Sequence, residues 1–221
     1  MKSNIIEKKI INLYKKFFRK FKINKKSGNF LPESRWSFLK FPTYPLIGSK
    51  YSQDKNKRVL FIGLEIGRDE KPNEIMGFDE KRKLIENKNK QSPHVYGMGV
   101  ITIFLLKNIF TKQELDQLCR HKTYKETFNF AKKIKPNFNP LSHIAMTNCY
   151  KFVTKERESR LGSKDIKHIS IDAECNLLID EIKILCPKYL VFESKSFIKD
   201  KWFKPLLSEI KKKNKNTNIY I

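Results

Sequence analysis

The stretch Arg58-Val-Leu-Phe-Ile-Gly63 decides the fold, because a short apolar run that ends at a glycine is typical of a buried strand. Three further runs predict strands, at 142–150, 189–192 and 218–221. Amphipathic or apolar segments of helical length separate these runs, and such alternation indicates parallel pairing with helices on both faces. The sequence therefore predicts a three-layer α/β/α fold with a central, mostly parallel four-stranded sheet.

The connecting segments predict several helices and one long polar region. Helices are expected near 79–88, over 100–110, from 111 to about 134, over 172–185 and over 196–213. Thr111-Lys-Gln-Glu114 has the pattern of a capping box at a helix start. The rest of 69–98, which contains Gly77 and Gly97, is interpreted as loop.

The N-terminal residues form a separate region in the sequence. Residues 1–26 contain ten basic residues and one acidic residue, and their apolar residues recur at three- and four-residue steps. We expect a basic amphipathic helix, with residues 1–29 as helical arm and linker and 30–221 as the α/β domain. Two interpretations of the helix stay open: it docks its apolar face on the domain, or it contacts phosphates or an anionic membrane.

Composition limits the partner and the compartment. The 221 residues carry 47 Lys and Arg against 23 Asp and Glu, a net charge of +24, which favours a polyanion partner. Nucleic acid, and DNA first, is the expected partner, and an anionic membrane surface is the second. The four cysteines show no CxxC pair, which is consistent with buried thiols in a reducing cytoplasm and excludes a typical zinc site.

The loops that follow the strands are where ligands bind in such sheets, and here they are 63–70, 148–160 and 193–197. The first contains Gly63, Glu65 and Gly67, two glycines that let the backbone turn tightly beside a carboxylate. It matches neither the GxGxxG nor the P-loop pattern, so a dinucleotide enzyme or ATPase is not expected. The second begins at Asn148, whose amide can both donate to and accept from the edge of a base.

Taken in order, these segments resemble the uracil-DNA glycosylase superfamily. Gly63-Leu-Glu-Ile-Gly67 looks like its first motif, and Thr147-Asn-Cys-Tyr-Lys151 is similar to the Thr-Asn-x-x-Lys segment of its thermophilic-type branches. Residues 173–182 and 186–191 are similar to the helix and strand that those branches place next. The resemblance covers about residues 58–221.

The resemblance implies a role for individual residues. Glu65 would position the attacking water or stabilise the sugar cation, Gly67 would let the backbone approach the flipped base, and Asn148 would read the base edge. Tyr96 is the first candidate for stacking on the base, and His94 is the second. Four basic residues would face the phosphates: Lys151, Lys155, Arg157 and Arg160.

Several positions depart from the family pattern. Ile66 stands where the first motif has Pro, Glu65 is one methylene longer than Asp, and Phe152 replaces an expected cysteine. Because only Cys175 matches an iron–sulfur ligand, we expect no cluster and no other cofactor. The family's last strand leads into a loop with a His and a wedge residue, whereas this sequence stops at Ile221. Either the sequence is a fragment, or that half of the site is absent.

These observations predict a DNA glycosylase-like protein, monomeric, that excises or recognises a flipped uracil or other modified base. Two alternatives stay open. One is a non-catalytic nucleic-acid-binding module with the same fold. The other is a peripheral membrane or partner-docking protein that works through residues 1–26.

Overall fold

The computed structural model describes residues 5–63, 74–86, 91–154, 171–194, 198–199 and 201–221. Within them the α-helices are α1 Ile5–Phe21, α2 Phe78–Glu86, α3 Pro93–Leu105, α4 Lys112–Leu118, α5 Tyr124–Ile134, α6 Ile171–Leu185 and α7 Phe203–Lys213. The strands are β1 Leu39–Lys40, β2 Leu46–Ile47, β3 Val59–Gly63, β4 Ile144–Asn148, β5 Val153–Thr154, β6 Tyr189–Phe192 and β7 Asn218–Tyr220. None of the helices in these ranges is both long enough and apolar enough to cross a membrane.

The main sheet has five strands in the order β2-β4-β3-β6-β7. The predicted strands β3, β4, β6 and β7 pair in parallel, with β3 in the centre. The expected number of four strands is wrong, because β2 adds an antiparallel edge next to β4. Two residues between Pro45 and Gly48 are too short a run to show an alternating pattern. β1 and β5 form a separate two-stranded antiparallel ribbon.

Successive residues of β3 enter two different hydrophobic clusters, because side chains alternate between the faces of a strand. Leu60 and Ile62 pack in a cluster with residues of α1, α6 and α7. Val59 and Phe61 pack in a second cluster with residues of α3 and α5. Both faces of the central strand are thus buried, which explains why its sequence is apolar throughout rather than alternating.

Helix α1 docks on the rest of the protein. Its residues Ile10, Tyr14 and Phe18 are almost fully buried in the cluster that contains α6. Its cationic side chains lie on the opposite, exposed face: Lys8, Lys9, Lys15, Lys16, Arg19 and Lys20. Of the two interpretations of the apolar face, the structure shows the docked one.

Helix α3 begins seven residues before the predicted position, so the interpretation of 93–98 as loop is wrong. Ser92 caps the helix through a hydrogen bond from the Val95 amide, and Pro93 occupies the first turn. Gly99 lies where α3 crosses α5, and a Cβ atom there would be 2.5 Å from ring carbons of Phe128. The glycine is therefore needed for close helix packing rather than for a turn.

The order of the strands creates a topological switch point at β3. The chain passes from β3 to β4 on one side and then to β6 on the other side. Connections that leave a central strand in opposite directions open a crevice at the carboxyl ends of the strands, and α/β proteins bind ligands there.

Candidate functional site

The carboxyl ends of the three central strands bring Gly63, Asn148 and Glu193 together. Gly63 ends β3 and is in register with Asn148 at the end of β4. Glu193 directly follows β6, and its amide donates to the Ile62 carbonyl at 3.0 Å. The backbone pairing of the sheet thus fixes these residues at one edge, in the crevice at the switch point.

Gly63 provides the opening of this site. A Cβ atom at Gly63 would lie 2.6 Å from Asn148 Oδ1 and 3.1 Å from Glu193 Oε2. The amide and the carboxylate therefore converge on the space that the absent side chain leaves. Any other residue at position 63 would occupy the space between them.

His94, in the first turn of α3, completes the cluster. Its Nε2 atom is 3.4 Å from Glu193 Oε1, and the imidazole is about half exposed, whereas the carboxylate side chain is 15% exposed. Burial raises the pKa of Glu193 above its usual value, and the charge of His94 acts in the opposite direction. A shielded carboxylate beside an imidazole can exchange a proton with it.

Asn148 carries an unused acceptor. The residue is 7% exposed, and its Oδ1 is buried without a hydrogen-bond partner in the part of the chain that the structure describes. A buried polar atom without a partner costs free energy of folding, on the order of 1–3 kcal/mol. Such an atom at the edge of a crevice is ready to accept a hydrogen bond from a ligand.

Lys151 does not have the predicted phosphate-facing position, which is a correction. Its side chain is 3% exposed and forms a buried ion pair with Glu181 of α6, at 2.5 Å. Thr147 accepts from the Lys151 ammonium at 2.7 Å and donates to Glu181 Oε2 at 2.9 Å. The Tyr14 hydroxyl of α1 donates to the other oxygen of Glu181. We call these four residues the α1–α6 network.

Glu174 lies about two helical turns before Glu181 on α6 and is buried beside the same network. It accepts a hydrogen bond from the Lys151 amide at 2.8 Å, and its Oε1 has no partner among the described residues. Burial raises the pKa of Glu174 to about 7, although the contacts with Lys151 oppose that rise.

The stacking role predicted for Tyr96 is also corrected. Its ring packs edge-on against Phe128 of α5, with centroids 5.4 Å apart, and the residue is only 7% exposed. Too little of the ring is accessible to form a stacking surface beside Gly63. The first turn of α3 places His94 at the site instead.

Five predicted residues lie outside the described part of the chain: Glu65, Gly67, Lys155, Arg157 and Arg160. Their roles stay predictions from the resemblance. The structure adds Glu193, which the sequence did not single out. The available signal was its position directly after the apolar run 189–192, at the start of a loop marked as a ligand-binding segment.

Comparisons of the chain with protein-family models, with curated proteins and with solved structures found no match. Within the described ranges, no group of three or more His, Cys, Asp and Glu side chains is arranged to hold a metal ion.

Proposed function

We propose that this chain is a DNA glycosylase-like protein that binds DNA and excises a flipped uracil or other modified base. The observation that carries the proposal is the cluster of Gly63, His94, Asn148 and Glu193 at the switch point. It supplies a small opening, a base-reading amide and a proton-transfer pair in one place. We also infer the finer, three-layer form of the fold, because the two faces of β3 enter separate helix-containing clusters.

Asn148 is proposed to recognise the base. Its unpartnered Oδ1 can accept from a ring N–H, while the Nδ2 atom of the same amide can donate to a carbonyl. Uracil presents that donor and acceptor on adjacent atoms of its Watson–Crick edge, which a duplex hides and a flipped nucleotide exposes.

The reaction is proposed to use Glu65, Glu193 and His94. The glycosidic C–N bond breaks, its electron pair leaves with the base, and the sugar becomes an oxocarbenium-like cation. A water molecule adds to the sugar carbon and loses its proton to a carboxylate. Glu65 takes the water-positioning role that the resemblance gives it, and Glu193 orients His94 so that its imidazole can donate to the departing base anion.

The charge distribution supports DNA as the partner. The net charge is +24, and the described surface includes the row of six exposed cations on α1. Phosphate neutralisation by such residues releases counterions and makes binding dependent on salt. The docked state of α1 argues against the membrane alternative, because insertion would have to remove its apolar face from the core.

The direct test is incubation of the full chain with a labelled oligonucleotide that contains one uracil, followed by alkali. We expect strand breaks at the uracil. Asn148→Ala and Glu193→Gln should each slow base release by about 100-fold, as removal of one transition-state contact does. Glu33→Gln, which removes the charge of an exposed glutamate in a loop, is the matched control and should release base at the parent rate.

Two results would separate the proposal from its alternatives. Intact strands from the parent chain, alongside a control enzyme that cleaves them, would contradict the excision of uracil. Binding that weakens steeply between about 50 and 200 mM salt without base release would instead indicate the non-catalytic nucleic-acid-binding module.

A further inference from the structure

A second concave surface lies between the start of α3 and the start of α5. It is a cleft of about 640 Å³, whose lining includes Pro93, Tyr96, Lys122, Tyr124 and Lys125. We call it the α3–α5 cleft. Its size is that of a small-molecule or single-nucleotide site. It shares the first turn of α3 with the candidate functional site, because Pro93 precedes His94.

Tyr124 provides an accessible aromatic surface in this cleft. The residue is 61% exposed, so it contributes little to the hydrophobic core. Its ring is nevertheless placed against α3, since a Cβ atom at Gly97 would touch two of its carbons at 3.6 and 3.7 Å. An exposed tyrosine held next to a glycine is well suited to stack on a planar ligand.

The charges of the α3–α5 cleft favour an anion. Lys122 and Lys125 are exposed on either side of Tyr124. The Glu126 carboxylate, next to Lys125 in the chain, accepts hydrogen bonds from the backbone amides of Lys122 and Thr123 at 3.1 and 3.2 Å. Glu126 is therefore committed to capping α5, and the two ammonium groups stay available to a ligand.

From these contacts we infer that the α3–α5 cleft binds a nucleotide of single-stranded nucleic acid that flanks the nucleotide at the candidate functional site. The base stacks on Tyr124, and the adjoining phosphates lie beside Lys122 and Lys125. The inference rests on the proposed function and adds the strandedness of the substrate. A base within a duplex offers no free face for Tyr124, whereas an unpaired base does.

The test measures the affinity of the full chain for short fluorescein-labelled oligodeoxythymidine and for a blunt duplex of the same length, by anisotropy. Tyr124→Ala should raise the Kd for the single strand about tenfold, within the range for one base–aromatic stack, and leave that for the duplex unchanged. Tyr220→Ala, at an exposed tyrosine of β7, is the matched control and should leave both values unchanged.

The phosphate contacts have a separate readout. Lys125→Ala should lower the slope of log affinity against log salt concentration for the single strand by about 0.7. Lys133→Ala removes the same charge from an exposed position of α5 that is not among the cleft residues, and it should leave the slope unchanged. A Kd for the single strand that Tyr124→Ala leaves unchanged, or an equal loss for single strand and duplex, would overturn the inference.

The two proposals can fail independently. A tenfold loss in Tyr124→Ala, with no base release by the parent chain, would support the α3–α5 cleft and contradict the glycosylase. Base release by the parent, with an unchanged Kd in Tyr124→Ala, would support the glycosylase and overturn the cleft.

Discussion

Two adjacent residues of β4, Thr147 and Asn148, belong to regions of opposite character. Thr147 belongs to the α1–α6 network, in which a lysine, a glutamate and two hydroxyls are buried and form hydrogen bonds with one another. Asn148 faces the candidate functional site, where its Oδ1 has no partner among the described residues. Both side chains are buried, so burial alone does not separate a structural polar residue from a ligand-binding one.

The difference lies in hydrogen-bond satisfaction. A buried polar group is tolerated when its partners are in place, and an unpartnered one at the edge of a crevice can be completed by a ligand or by ordered water. The α1–α6 network is therefore expected to govern stability, and the candidate functional site is expected to govern binding. Each of the following substitutions tests that division.

The largest effect is expected for Lys151→Met. The substitution leaves the Glu181 carboxylate buried without its cation, which should lower the free energy of unfolding by about 3–5 kcal/mol. Urea denaturation measures this loss, and the double variant Lys151→Met, Glu181→Leu should recover part of it. A loss under about 1 kcal/mol would contradict the structural role of the network.

Glu174→Gln should stabilise the protein at alkaline pH. The folded pKa of Glu174, about 7, lies above the unfolded value of about 4.5, so the folded state binds the proton more tightly. The stability of the parent should therefore decrease, relative to the variant, as pH rises from 4.5 through 7. Above pH 7 the variant should be more stable, on the order of 3 kcal/mol. Urea titrations from pH 4 to 8 measure the difference, and a difference independent of pH would contradict it.

Thr147→Val and Asn148→Ala compare the two regions on one strand. Thr147→Val removes a hydroxyl with two partners and should cost about 1–3 kcal/mol of stability. Asn148→Ala removes an oxygen without a described partner and should cost under about 1 kcal/mol of stability, while it slows base release by about 100-fold. If urea denaturation shows equal losses of stability in the two variants, the division between a stabilising network and a binding site is wrong.

The smallest change in stability is expected for Gly63→Ala. The added methyl displaces the ends of two side chains rather than backbone, so the cost should stay under about 1 kcal/mol. It fills the opening, so affinity for the uracil oligonucleotide should fall. Gly77→Ala, where no atom lies within 4 Å of the added carbon, is the control for both measurements. Parent-like affinity in Gly63→Ala would show that the base does not use this space.

The sequence predicted the central strands because fully buried strands leave an apolar run that needs no partner to be recognised. β3, β4 and β6 lie within such runs, and the largely exposed edge strand β7 lies within the predicted run 218–221. The two-residue strand β2 was not predicted, because its strand character comes from pairing with β4, which is a tertiary property.

The candidate functional site was predictable only in part. Gly63 and Asn148 were predicted because each ends a strand, and the end of an apolar run can be located from the neighbouring residues in the sequence. The pairing of His94 with Glu193 depends on where α3 begins, and Gly97 had indicated a loop there. Lys151 was predicted to face phosphates, as one of a group of basic residues that follow β4. Its buried partner Glu181 is 30 residues away in the chain, so local sequence does not indicate the pair.

The contact between Tyr14 and Glu181 also constrains how the protein is made. The two residues are 167 positions apart, so α1 leaves the ribosome long before its docking partner α6 exists. At about 5–20 residues per second, that delay is roughly 8–33 s. During synthesis the apolar side chains of this cationic segment are therefore uncovered, a state that the completed fold conceals. A nascent chain stalled before α6 should bind hydrophobic-surface probes and chaperones through residues 5–21.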